Sequence, residues 1–144
     1  MATFERDGVR FQYPENWTVE ASESEGGDGG WAVSVQSPET AFVLVALHPD
    51  AESLADLADK TLDAIKAEYK ELDAENAVET LAGRVAIGHN IDFLTLDTTV
   101  TCWTRCVDTP AGPLLVLCQT SEHDRDRNEP VLRAVCASLQ IEEE

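Results

Sequence analysis

Thr98-Thr-Val-Thr-Cys-Trp-Thr-Arg-Cys-Val107, then Asp108-Thr-Pro-Ala-Gly112, then Pro113-Leu-Leu-Val-Leu-Cys-Gln-Thr120 is the stretch on which the fold turns. Two runs rich in β-branched, aromatic and aliphatic residues flank five residues that carry Pro and Gly, the pattern of two strands joined by a tight turn. Strands joined so closely run antiparallel, because a parallel partner needs a crossover of a dozen or more residues. Upstream, Arg84 to Leu94 reads as another long strand, connected by Thr95-Leu-Asp97, and Gly83 marks a turn after Val78-Glu-Thr-Leu81. The period-two pattern thus spans Ala77 to Ser121. Downstream, a helix is expected from about Glu129 to Leu139. Leu132, Val135, Cys136 and Leu139 share its inner face, Arg133 and Gln140 point outward, and Pro130 falls in the first turn, where its missing amide is tolerated.

The N-terminal half has strands and one helix. Val9 to Tyr13 alternates and stops at Pro14, Trp17 to Ala21 alternates again, and Trp31 to Gln36 follows. Ala41 to Leu47 is nearly all apolar, which predicts an interior strand with both faces covered. Ser53 followed by Asp56 resembles a capping box. Leu54, Leu57, Ala58, Thr61, Leu62, Ile65, Tyr69 and Leu72 then form one stripe, predicting an amphipathic helix of about five to six turns. The fold class is therefore α+β, an antiparallel β-sheet flanked by helices, in one domain over residues 1–144.

Charge is the outlying property. Ten Lys plus Arg against 28 Asp plus Glu give −18 at pH 7. Such a surface repels phosphate backbones and anionic lipid, so neither nucleic acid nor a membrane surface is an expected partner. Three origins stay open: solvation in a salty environment, a basic protein partner, or multivalent cations. The N-terminus has no basic and apolar leader pattern, and no run approaches a membrane span, so a cytoplasmic location is expected. Cys102 and Cys106 lie too far apart along one strand to be joined, at roughly 13 Å. With Cys118 and Cys136 at apolar positions, four core thiols in a reducing compartment are expected.

The opening Val9-Arg-Phe-Gln-Tyr-Pro-Glu-Asn-Trp17 resembles the apolar-x-Phe/Tyr-x-Tyr-Pro-x-x-Trp start of the PsbP-like superfamily. The hairpin at Leu81-Ala-Gly-Arg-Val85, the paired long strands and the final helix ending in Ser138-Leu139 are similar to the same superfamily. The resemblance implies an α/β/α sandwich. Its members include a photosystem extrinsic subunit, a Ran-binding nuclear transport factor, bacterial lipoproteins and chaperones for secreted toxins, so it implies binding of another protein rather than catalysis. The lack of a leader implies an intracellular branch, and there are no family catalytic residues to carry over.

Chemistry-bearing residues are sparse. His48, His89 and His123 stand without a second His or Cys at a metal-ligand spacing, and no G-x-S-x-G phrase supports a hydrolase built on His89 or His123. Asp124-Arg-Asp-Arg-Asn-Glu129 begins like a calcium loop but holds Glu129 and Val135 where Gly and Glu belong, and reads better as an acidic helix start. No metal and no cofactor is expected. Trp103 and Arg105 share a strand face by alternation. With a bulge at the Gly112 turn, Gln119 joins them there, and the three together suit a carboxylate or a peptide segment. The loop Ser22 to Gly30, with Glu23, Glu25 and Asp28, is a second candidate contact surface, set against a surface loop with no role. These features favour a non-enzymatic protein-binding module (adaptor, chaperone or accessory subunit) with a protein partner, a basic one being among the open origins of the charge. The rival is a small-molecule or cation-binding domain with a pocket between sheet and helix.

Overall fold

The computed structural model describes residues 1–23 and 29–142. Its frame is a seven-stranded, wholly antiparallel sheet in the order β3-β4-β5-β9-β8-β7-β6, beside a three-stranded sheet in the order β1-β2-β10. The large sheet is built from β3 (Thr18–Glu23), β4 (Trp31–Gln36), β5 (Phe42–Leu47), β6 (Leu72–Leu81), β7 (Arg84–Leu94), β8 (Thr99–Thr109) and β9 (Gly112–Ser121). The small sheet comprises β1 (Ala2–Arg6), β2 (Val9–Tyr13) and β10 (Gln140–Ile141). The nearly all-apolar β5 lies inside the large sheet, between β4 and β9.

Alternation along these strands makes two apolar faces, and each is covered differently. Helix α1 (Leu54–Glu68) packs on one face, where Leu62 meets Ile91, Phe93, Val100, Cys102 and Leu117. Helix α2 (Arg125–Ala137) and the small sheet cover the other, where Leu132, Val135, Val9 and Phe11 join Trp31, Val43, Val45, Val116 and Cys118. The β1–β2 hairpin turns at Asp7-Gly8, both at positive φ, and docks through Trp31. The indole Nε1 of Trp31 donates to Asp7 Oδ2 at 2.9 Å, and Phe4 stands 5.5 Å from its ring.

Several element bounds differ from expectation. Helix α1 is 15 residues long, about four turns, and stops before Tyr69 rather than running on to Leu72. Tyr69 is extended and stacks on Phe93 with ring centroids 3.9 Å apart, and Leu72 opens β6. Helix α2 starts at Arg125, so Pro130 sits within the helix rather than in its first turn and removes one helical hydrogen bond. Ser22 and Glu23 continue β3, opposite Ala32 and Trp31, instead of belonging to a loop.

Candidate functional site

Trp103 and Arg105 lie side by side on the α2 face of β8, as alternation requires, and both are buried. Gln119 does not join them. The Gly112 turn adds no bulge: Thr109 pairs with Gly112, so Trp103 faces Cys118 while Gln119 pairs with Cys102 and Phe42 on the α1 face. A one-residue difference in register sends a side chain to the opposite face of a sheet. Of the acidic loop residues, Glu23 ends β3, while Glu25 and Asp28 lie outside the described residues.

Arg105 is held from every side. Its Nε is paired with Glu79 of β6, Nη1 donates to Thr104 O at 2.8 Å, and Nη2 donates to Asn90 Oδ1 at 2.9 Å. The guanidinium that lies over Trp103 belongs to Arg133 of α2, 4.9 Å from the ring centroid. Arg133 is exposed, as its outward position predicts, and also pairs with Glu129 at 3.4 Å, while its guanidinium reaches over the indole. Together Glu79, Leu81, Trp103, Arg105, Arg133 and Cys136 line a cleft of about 190 Å³ between β6, β8 and α2. That is below the roughly 300–1,000 Å³ of typical small-molecule sites, so the cleft suits a single side chain, a carboxylate or a small oxidant.

Two thiols meet at the back of this cleft. Cys118 Sγ of β9 and Cys136 Sγ of α2 are 3.3 Å apart. The Cys118 hydrogen bond holds Cys136 below the ordinary thiol range against its own burial and the charge of Glu79, which the smaller effects of Arg133 and Arg105 oppose. Burial pushes Cys118 well up. On the other face, burial raises Cys102 and Cys106 to about 12. Sequence spacing missed Arg133, Glu79 and the thiol pair because their partners come from distant elements.

The second site is the free side of β6. This ten-residue strand ends the large sheet and hydrogen-bonds only β7 among the described residues, so alternate backbone N–H and C=O groups point away from the sheet. It contains no Pro and no Lys, and its register with β7 is unbroken from Leu72 opposite Phe93 to Leu81 opposite Arg84. Asp73, Glu75 and Glu79 share its α2 face. Ala74 and Val78 share the other, where Val78 and the neighbouring Val85 are 71% and 65% exposed.

His89 is buried on the α1 face of β7 opposite Thr104, and its Nδ1 has no hydrogen-bond partner among the described residues. No group of three or more His, Cys, Asp or Glu among the described residues is arranged to hold a metal ion. No described helix is long and apolar enough to cross a membrane.

No protein-family model matches the chain, and no curated protein matches it in sequence. Solved structures do match. Cyanobacterial PsbP from Synechocystis superposes with a TM-score of 0.64 at 16% identity, covering 98% of this chain and 92% of that one. The Pseudomonas aeruginosa protein PA94, of unknown function and described as a candidate regulator, gives a TM-score of 0.60 at 10% identity over 100% and 99%. LpqN of Mycobacterium tuberculosis, involved in cell envelope biogenesis, gives 0.52 at 14% identity over 94% and 83%. The protein has a PsbP-like fold.

Proposed function

We propose that this protein is a non-enzymatic protein-binding module whose β6 edge accepts an extended segment of a basic partner as an added strand. The observation that carries the reading is the ten-residue open edge with Asp73, Glu75 and Glu79 on one face. Strand addition draws affinity from backbone hydrogen bonds and specificity from alternate side chains. The matching segment alternates basic with apolar residues: Lys or Arg beside the carboxylates, aliphatic groups beside Ala74 and Val78. Opposed charges across a strand pair contribute roughly 0.2–1 kcal/mol each, and like charges oppose pairing. A second copy of β6 laid antiparallel would set carboxylates near carboxylates, so the same charges disfavour self-association. The other edge strand, β3, offers only six residues. The net charge of −18 fits a basic partner, and the reading carries a cytoplasmic location with it.

A peptide of alternating Lys and Val tests this. Titrated into labelled protein at low salt, it is expected to shift and protect the amides of β6. The double variant Asp73→Lys, Glu75→Lys is expected to weaken binding about tenfold, and added salt weakens it too. Methylating the peptide's alternate backbone nitrogens is expected to abolish binding. Equal binding of the methylated peptide, or protection confined to β3, would overturn strand addition at β6.

A further inference from the structure

Cys118 and Cys136 read as ordinary core positions in the sequence, yet the fold brings them together from β9 and α2. They differ in access: Cys118 is fully buried, whereas Cys136 is partly exposed and lines the cleft with Trp103, Arg105 and Arg133. Their sulfurs are already at 3.3 Å, so a bond of about 2.05 Å needs them to close by little more than an ångström. Cys102 and Cys106 provide the contrast within one chain. Both are completely buried under α1 on the far face of the sheet, which screens them from that cleft.

We propose that Cys136 and Cys118 form a dithiol oxidised by hydrogen peroxide, with Cys136 the thiol that meets the oxidant and Cys118 the thiol that resolves it. The Cys136 thiolate attacks one peroxide oxygen. The O–O bond breaks, a sulfenic acid forms, and the departing hydroxide takes a proton to leave as water. The sulfur of Cys118, giving up its proton, then attacks the sulfenic sulfur. The S–S bond forms, the S–O bond breaks, and a second water leaves. Two thiols have lost two electrons and one peroxide has gained them. Thiolate character decides which sulfur reacts first, and the hydrogen bond from Cys118, at 3.3 Å, puts that character on Cys136, the sulfur that also borders the cleft. The product ties α2 to β9 across the core that both elements already share.

The test is a peroxide titration of the reduced full-length chain, followed by thiol counting in denaturant and peptide mapping. Two of the four thiols are expected to disappear, with Cys118 linked to Cys136, while Cys102 and Cys106 still take an alkylating label. Cys118→Ala is expected to stall at a sulfenic acid on Cys136 that a dimedone probe traps. Cys136→Ala is expected to slow oxidation of the chain about tenfold or more and to give no link. Oxidation of Cys102 or Cys106 at the rate of Cys136, or conversion of Cys136 to sulfinic acid without a link in the wild type, would overturn the proposal. The wild-type map decides it even if a variant fails to fold.

Discussion

Gly88→Ala is expected to destabilise the protein by about 3 kcal/mol, lowering its melting temperature by about 10 °C. Gly88 lies in β7 opposite Arg105, and an added Cβ would stand 1.9 Å from the carbonyl oxygen and 2.6 Å from the carbonyl carbon of Thr104. Those atoms are backbone, so no rotamer change relieves the overlap. The strands β7 and β8 must part, and the groups nearby are those that hold Arg105. Thr104 O accepts from Arg105 Nη1, and Asn90, two residues beyond Gly88, accepts from Nη2. Loss of strand pairing there should loosen Arg105 and enlarge the cleft beside Trp103. Gly83→Ala is the control. Gly83 has φ +77, but nothing lies within 4 Å of an added Cβ, so only the backbone conformation resists, at about 1 kcal/mol. Thermal unfolding of the two variants measures the difference. A Gly88→Ala protein melting within about 2 °C of wild type would mean that the strands separate without penalty.

The strands were legible where tertiary context agreed with local pattern. Trp31–Gln36 keeps one covered face along its whole length and Arg84–Leu94 along most of it, and the sequence reading and the structure share their bounds. Elements were misread where one face has no apolar partner. Leu72–Leu81 is a strand whose residues are mostly exposed, so the alternation in Leu72-Asp-Ala-Glu75 carries no large apolar residue after Leu72, and the helical stripe ending at Tyr69 and Leu72 masks its start. The stacking of Tyr69 on Phe93 decides that boundary, a contact over 24 positions that no window of sequence contains. β1 was missed although Asp7-Gly8 is a strong hairpin signal, because Phe4 is its main inward residue. For the site, alternation correctly united Trp103 and Arg105, but the assumed bulge moved Gln119 to the wrong face. Helical periodicity correctly left Arg133 exposed, but it could not show that the guanidinium reaches the ring of Trp103. The Cys118–Cys136 pair was beyond reach, since nothing local encodes how α2 lies on β9.

Asp124→Ala is expected to cost about 3 kcal/mol, and the pH dependence of that loss identifies its cause. Asp124 precedes α2 and is only 2% exposed, a carboxylate buried where three segments meet. Thr40, on the β4–β5 connection, donates through its hydroxyl and, at 3.2 Å, through its backbone N–H. Ser121 Oγ donates at 3.0 Å from the end of β9, and Asn128 Nδ2 donates at 2.6 Å from α2. Every neighbour is a donor, so an ionised acid fits and an amide does not. Burial alone would raise the carboxyl's pKa, but the bonds from Thr40, Asn128 and Ser121 outweigh it and hold the group below its ordinary range. A depressed folded pKa gives stability that is fully present above the unfolded value, near 3.9, and lost as pH falls through the folded one. Urea unfolding of wild type and Asp124→Ala should therefore differ by a constant amount above about pH 5, and the gap should narrow below about pH 4. Acid also relieves the repulsion among the other carboxylates, but it does so in both proteins and cancels in the difference. A gap unchanged down to pH 3 would assign the loss to packing rather than to charge. Asp124 fastens the start of α2 to the sheet, and so fixes Arg133 and Cys136 over Trp103 and Cys118.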